Sequence, residues 1–359
     1  MLAIVMEHIS IAPYTFTPDD APYWVHLTIV QAFKFGTVAF FLIAGFLFAA
    51  NKDQYSVFDY LKRRFNNIFR PWLIWSTIFI VLVTAVPILN SIITKAPLIS
   101  VVANIYWGAK WVYLHSNYWF IMNYFFCTTV LLLNKKVLNS WIFGLILLSL
   151  TSFYSVNVYF EWIMPEHTTA IFGFIFFYWL GVQINRFYQN IKIFFQKTHV
   201  IYFVMATFIT LFLAVRELSL LSSLHKVDPN NTLRFSNIVF SITVFFLFLK
   251  IERFNWLSFL QPRKTTYGIY LVHYIFAICL LPLIFGEANV SLLQHLSVFE
   301  MIKYELTRFL IVYLFSFTLV QAISRSNYAW VIGNNLLNKP VQKPVQSVEL
   351  ELELKTEAA

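Results

Sequence analysis

Between Gly36 and Trp75 the chain reads GTVAFFLIAGFLFAANKDQYSVFDYLKRRFNNIFRPWLIW, an uncharged, Phe-rich stretch and a second apolar one on either side of a loop that gathers Lys52, Lys62, Arg63, Arg64 and Arg70. The first apolar run reaches back past Lys34 to Leu27, close to the roughly 20 residues that cross a hydrocarbon core as a helix. The second begins at Pro71. Lipid offers backbone N–H and C=O groups no partner, so segments of this kind must satisfy their own hydrogen bonds as helices. A short loop as basic as this one stays on the cytoplasmic side.

The rest of the chain repeats the pattern. With 59% hydrophobic residues, 12% charged residues and 40 Phe in 359, polar groups are too few to cover a soluble fold. The expected class is all-α, a polytopic membrane bundle. The formal charge of +9 lies between apolar segments rather than on the face of a folded domain. It reads as orientation and attraction to an anionic leaflet, with the lipid bilayer as partner and no nucleic acid. Cys127 and Cys279 fall inside apolar segments, so no disulfide framework is expected.

Met1 to Ala12 is apolar apart from Glu7 and His8 but makes only roughly 18 Å of helix. It reads as most of a first membrane helix whose cytoplasmic end is missing or very short, followed by an outer loop over 13–23. The second span is the run from Leu27 to Ala50. Further spans are expected near 71–93, 118–134, 137–156, 168–186, 200–224, 235–250, 265–285 and 305–324, about ten in all. Alternate loops carry most of the 26 Lys and Arg, which places both termini in the cytoplasm. Residues 1–326 form the membrane domain in this reading, and 327–359, with its Lys-Pro-Val-Gln repeats and alternating Glu-Leu, a largely disordered cytosolic tail. On the outer side, 95–118 is too polar to span and too apolar to float free, and an interfacial helix after Pro97 fits it. Its aromatics, with Tyr118 and Trp119, either stack on sugar rings or form the aromatic belt at the headgroups.

Ionisable groups inside a membrane are functional suspects. His8 and His273, roughly 10 Å and 12 Å from the cytoplasmic boundary by helix rise, share a layer. A neutral imidazole there can take a proton from a hydroxyl or thiol and return it; the plainer alternative is a histidine satisfied by a helix carbonyl or by Tyr270. Glu7 points about 100° away from His8, so adjacency makes no dyad of them. Arg63, Arg64 and Arg70 either mark topology and lipid headgroups or grip the phosphates of a cytosolic donor. No cluster has metal-ligand spacing.

The set FFLIAGFL, YLKRRFNNIFRPW, YWFIMNYF and TTYGIYLVH, in that order and on these spans, resembles the acyltransferase-3 family of bacterial integral membrane acyltransferases over about Met1 to Ser326. The resemblance implies acyl transfer, usually of acetyl from cytosolic acyl-coenzyme A, to a hydroxyl of a surface glycan or glycolipid at the bacterial cytoplasmic (inner) membrane. The coenzyme is then a donor substrate and no cofactor is permanently bound. It implies His8 as the catalytic histidine with His273 near it, Arg63, Arg64 and Arg70 on the acyl-CoA donor, and Tyr118, Trp119 and Tyr270 around the acceptor. The family's usual first-helix Arg would fall before Met1. Ala44 stands where Ser is common and Asn67 where a second Arg is common, with Arg70 one turn further on. A transporter or exporter of a glycan or small solute is the competing reading, since membrane histidines also couple protons. The low glycine count, 9, and the lack of a visible repeat argue against it.

Overall fold

The computed structural model describes residues 1–10, 20–251, 255–286 and 296–334. Much of the expected outer loop 13–23 and most of the expected tail lie outside them. Every regular element among the described residues is helical. In order these are α1 (Leu2–Ile9), α2 (Ala21–Phe33), α3 (Gly36–Ala49), α4 (Val57–Arg64), α5 (Arg70–Ile93), α6 (Leu98–His115), α7 (Trp119–Leu133) and α8 (Trp141–Phe160). Then follow α9 (Ile175–Arg186), α10 (Tyr188–Lys197), α11 (Val200–Ser223), α12 (Phe235–Ile251), α13 (Pro262–Ile275), α14 (Leu281–Phe285) and α15 (Val298–Ser324).

Among the described residues, six helical stretches are long and apolar enough to cross a membrane: Ala21–Ala49, Val57–Ile93, Trp141–Phe160, Val200–Ser223, Pro262–Phe285 and Val298–Ser324. Two shorter apolar helices, Trp119–Leu133 and Phe235–Ile251, accompany them. Their outer faces are apolar, as lipid requires: Val81, Val86, Leu89, Ile92 and Ile93 of α5 are all more than half exposed. The helix expected after Pro97 is α6.

Two of the spans are widened by a proline. A proline ring cannot accommodate the carbonyl four residues back and donates no hydrogen bond to it. Pro71 is preceded by a π-helical turn at Phe65–Phe69, and Pro282 by one at Phe276–Leu280. At the first of these, Tyr267 Oη of α13 donates to the Ile68 carbonyl at 2.5 Å, so a neighbouring helix satisfies the backbone that the turn loosens.

Among the described residues, the buried side chains form two large clusters and two small ones, the small ones around α11. One large cluster joins α3, α7 and α9; the other joins α1, α5, α13 and α15. Phe120 and Phe125 of α7 pack against both, so α7 is the wall between them. The chain also stays packed beyond Ser326: a 3-10 turn at Ala329–Ile332 buries Ile332 completely, and Trp75 Nε1 donates to the Val331 carbonyl at 3.0 Å. The expected tail therefore begins inside the bundle, because its first apolar residues find a groove between α5 and α13.

Two other boundaries differ from expectation. The span expected from 137 starts at Trp141, after a 3-10 turn at Lys135–Val137, because Leu138 is buried and its carbonyl accepts from Trp179 Nε1 and Gln183 Nε2, both at 2.8 Å. The span expected from 168 is helical only from Ile175, and the residues before it fold as turns that carry part of the site described next.

Candidate active site

His8 and His273 meet. His8 Nδ1 lies 3.0 Å from His273 Nε2, and His273 Nδ1 lies 2.9 Å from the Ile269 carbonyl, one turn back on α13. A carbonyl only accepts, so His273 Nδ1 carries a hydrogen. A neutral His273 then presents a lone pair at Nε2, and His8 Nδ1 must be the donor. The chain of bonds satisfies three ring nitrogens without a buried charge and leaves Nε2 of His8 as an unprotonated base. His273 is completely buried, while His8 is partly exposed and packs edge-on against Tyr274.

The open side of His8 belongs to a pocket lined by Ile4, Glu7, His8, Thr37, Phe40, Asn117, Trp119, Phe120, His167 and Tyr270, about 370 Å³ of empty space with its mouth included. Only about 30 Å³ of it admits the centre of a water-sized sphere, room for about two waters or the tip of a group entering from the mouth. It lies at the N-terminal end of α7. The sequence reading put the histidines near the cytoplasmic mouth, counting from Met1. Instead Tyr270 and Asn117 are cross-bonded, with Asn117 Nδ2 donating to the Tyr270 carbonyl at 2.9 Å and Tyr270 Oη donating to the Asn117 carbonyl. His273 is three residues further along α13, so the pair stands at the opposite end of α7 from the basic loop.

Glu7, next to His8, also lines the pocket, but its partner is Lys34 at 2.8 Å. Lys34 is 2% exposed and Glu7 10%. Two charges are taken out of water only where their pairing is close. Glu7 Oε2 is buried and has no hydrogen-bond partner among the described residues.

The pocket's other histidine comes from a loop. His167 lies between α8 and α9, and its Nδ1 donates to Asp228 Oδ2 at 2.8 Å across the α11–α12 connection. The same oxygen accepts from the His167 backbone N–H at 3.3 Å and from Asn231 Nδ2 at 3.0 Å, while Asn231 Nδ2 also reaches the Pro165 carbonyl at 2.6 Å. Burial would raise the Asp228 carboxyl, but the His167 ring and backbone N–H, with the charge of Lys34, hold it below its ordinary value. Next to it, His115 Nδ1 of α6 is 3.1 Å from Glu166 Oε2. Trp119 stands edge-on to His167 at 5.6 Å. Neither His167 nor Asp228 stood out in the sequence. Each lies in a polar, turn-rich stretch, and the only signal was that both stretches fall on loops expected at one end of the bundle.

Of the aromatic residues expected near an acceptor, Trp119 and Tyr270 line the pocket. Tyr118 does not. It is completely buried, its hydroxyl donates to the Leu271 carbonyl at 2.5 Å, and its own carbonyl accepts from Trp72 Nε1 at 3.0 Å. It straps α7 to α13 and α5, and so positions the pocket wall without reaching the space inside.

The arginines do not converge either. Arg64 turns inward, with Nη2 2.9 Å and Nε 3.2 Å from Tyr60 Oη. Arg63 is exposed and covers the Tyr55 ring at 4.3 Å; Arg70 is exposed over Trp330 at 4.2 Å. Arg64 and Arg70 are six residues apart, about 120° around a regular helix, and the π-turn at Phe65–Phe69 lies between them. None of the three lines the His8 pocket. Arg64 lies in the neighbourhood of Tyr124 and Tyr178, and Tyr124 is one turn along α7 from Phe120 of the pocket.

Comparison with curated proteins and with solved structures finds no match. The family model described as an acyltransferase domain, that of the acyltransferase-3 family, matches residues 1–325. The match takes in the paired histidines, the pocket and nearly the whole bundle, and the chain therefore belongs to the acyltransferase-3 family, as a multi-pass membrane acyltransferase.

Proposed function

We propose that the protein moves an acyl group, acetyl in the first instance, from a cytosolic coenzyme A thioester to a hydroxyl of a glycan or glycolipid on the far side of a bacterial inner membrane. One observation carries this reading. The bond chain from Ile269 through His273 fixes His8 in the tautomer whose Nε2 lone pair is free, and His8 opens onto a small pocket. Receiving an acyl carbon and receiving a hydroxyl proton both require that lone pair. The pocket holds the reacting ends of donor and acceptor, and the bulk of each lies outside it.

We count the six long spans, the two shorter apolar helices, α9 and the partial first helix α1 as about ten membrane segments. In this reading an even count puts both termini on one side, and the basic loops make that side cytoplasmic. The donor then arrives at the end that holds Arg63, Arg64 and Arg70, whose guanidinium groups suit the phosphates of coenzyme A. The acceptor enters at the Trp119 and His167 end.

The test is label transfer by purified protein in lipid, with acetyl-labelled acetyl-coenzyme A and candidate glycans. Transfer that falls by about 10² or more in His8→Ala supports the reading. Full transfer in that variant, or passage of intact glycan across the bilayer with no label moved, overturns it.

A further inference from the structure

We propose that His167, held by Asp228, is a second catalytic histidine that takes the proton from the acceptor hydroxyl and leaves Nε2 of His8 to carry the acyl group. This rests on the acyl-transfer reading above and divides its chemistry between two rings. His8 and His167 line one pocket and reach it from separate elements, α1 and the α8–α9 connection.

Asp228 Oδ2 accepts from His167 Nδ1 at 2.8 Å, which keeps the hydrogen on Nδ1 and a lone pair on Nε2. Three donors on one carboxylate oxygen, two of them from His167 itself, set the ring's position as well as its tautomer. The His8 relay has no equivalent anion. It ends on a backbone carbonyl, which orients a ring but does little to stabilise an imidazolium. Of the two rings, His167 is therefore the better proton acceptor and His8 the better neutral nucleophile. His167 also sits beside the Trp119 ring at the end of the bundle away from the arginines, where the acceptor arrives.

The steps balance. Nε2 of His8 bonds to the thioester carbonyl carbon, the C–S bond breaks, and the thiolate leaves toward Arg64 and takes a proton from water. The acceptor oxygen then bonds to the acyl carbon, and the C–N bond breaks with its electron pair returning to His8. The hydroxyl proton passes to Nε2 of His167 and on to water.

A nucleophile that needs no base separates the two roles. Full-length protein in lipid vesicles is given labelled acetyl-coenzyme A with either a panel of methyl hexosides or hydroxylamine, the latter read as acetohydroxamate above the uncatalysed background. His167→Asn keeps a donor where Nδ1 lies and deletes Nε2. It should lower kcat for hexosides by about 10² or more while hydroxamate formation stays within about threefold. Asp228→Asn should show the same acceptor-selective loss, and His8→Ala should lose both products. Equal losses with the two acceptors in His167→Asn and Asp228→Asn, or unchanged hexoside transfer in both, would overturn the proposal. A thermal unfolding midpoint measured for each variant identifies one that fails to fold, and the other then decides. A wild type that makes neither product removes the acyl-transfer reading itself, and this inference with it.

Discussion

A methyl group on Gly45 would lie 1.8 Å from the carbonyl oxygen of Tyr178, and one on Gly181 would lie 2.1 Å from the carbonyl oxygen of Leu42. The two glycines let α3 and α9 touch backbone to backbone, the way apolar helices associate where lipid offers no hydrophobic gain. Backbone cannot move aside as a side chain can. Gly45→Ala or Gly181→Ala must push the helices apart, at about 1–3 kcal/mol each for an overpacked contact. The expected readout is a lower thermal unfolding midpoint in detergent for both variants, with the double variant losing less than the two losses added, because one separation relieves both clashes. A midpoint unchanged in either would contradict the contact.

His273 acts on His8 through a single bond, so the chemistry of its replacement matters more than its size. His273→Gln offers an acceptor to His8 Nδ1, and His273→Leu offers none. Transfer should fall by about 100-fold in His273→Leu, the scale of a misplaced reacting group, and by much less in His273→Gln. Parallel kinetics of the two variants under saturating donor check this. Equal activity would show that the tautomer is not set at His273.

The spans were legible because burial in lipid is written residue by residue: an apolar run as long as Leu27 to Ala50, with Lys34 its one charge, matches the thickness of a hydrocarbon core. The layer shared by His8 and His273 was legible as a coincidence of depth, and their 3.0 Å contact was not, since rotation about each helix decides it. Rotation also scatters the arginines. Arg70 reads as standing one turn on from Asn67, and the π-turn at Phe65–Phe69, which includes Asn67, is not visible in the sequence. His167 and Asp228 were invisible for a different reason. They are 61 residues apart in two loops, and only the packing of α8, α9, α11 and α12 brings them together. Tyr118 misled because a tyrosine next to a tryptophan at a span end has the composition of a binding surface, whichever way its ring turns.

The pair Glu7–Lys34 should behave as buried ion pairs do. Lys34→Met leaves the Glu7 carboxylate uncompensated next to the pocket, at a cost of about 3–5 kcal/mol, while Glu7→Gln combined with Lys34→Met removes both charges and recovers most of it. A double-mutant cycle on unfolding midpoints measures the coupling. Additive losses would mean that the 2.8 Å contact holds no energy.

Asp228 ties the α8–α9 loop to the α11–α12 loop, and its carboxyl is held below its ordinary value, against the opposing effect of burial, by the His167 ring and backbone N–H with the charge of Lys34. A carboxyl whose folded pKa is depressed binds protons less readily in the folded state. Its stabilising contribution is thus complete above the unfolded value of about 3.9 and disappears as pH falls through the lower folded value. The loops should accordingly hold at neutral pH and loosen in acid, below about pH 4. Protection factors for hydrogen exchange at His167 and Asn231, corrected for the fall of the intrinsic base-catalysed rate and followed from pH 7 downward, should drop there in the wild type. In Asp228→Asn the protection of the same amides should be low already at pH 7, with little further change on acidification. A variant that matches the wild type at neutral pH would show that the carboxylate is not what joins the two loops.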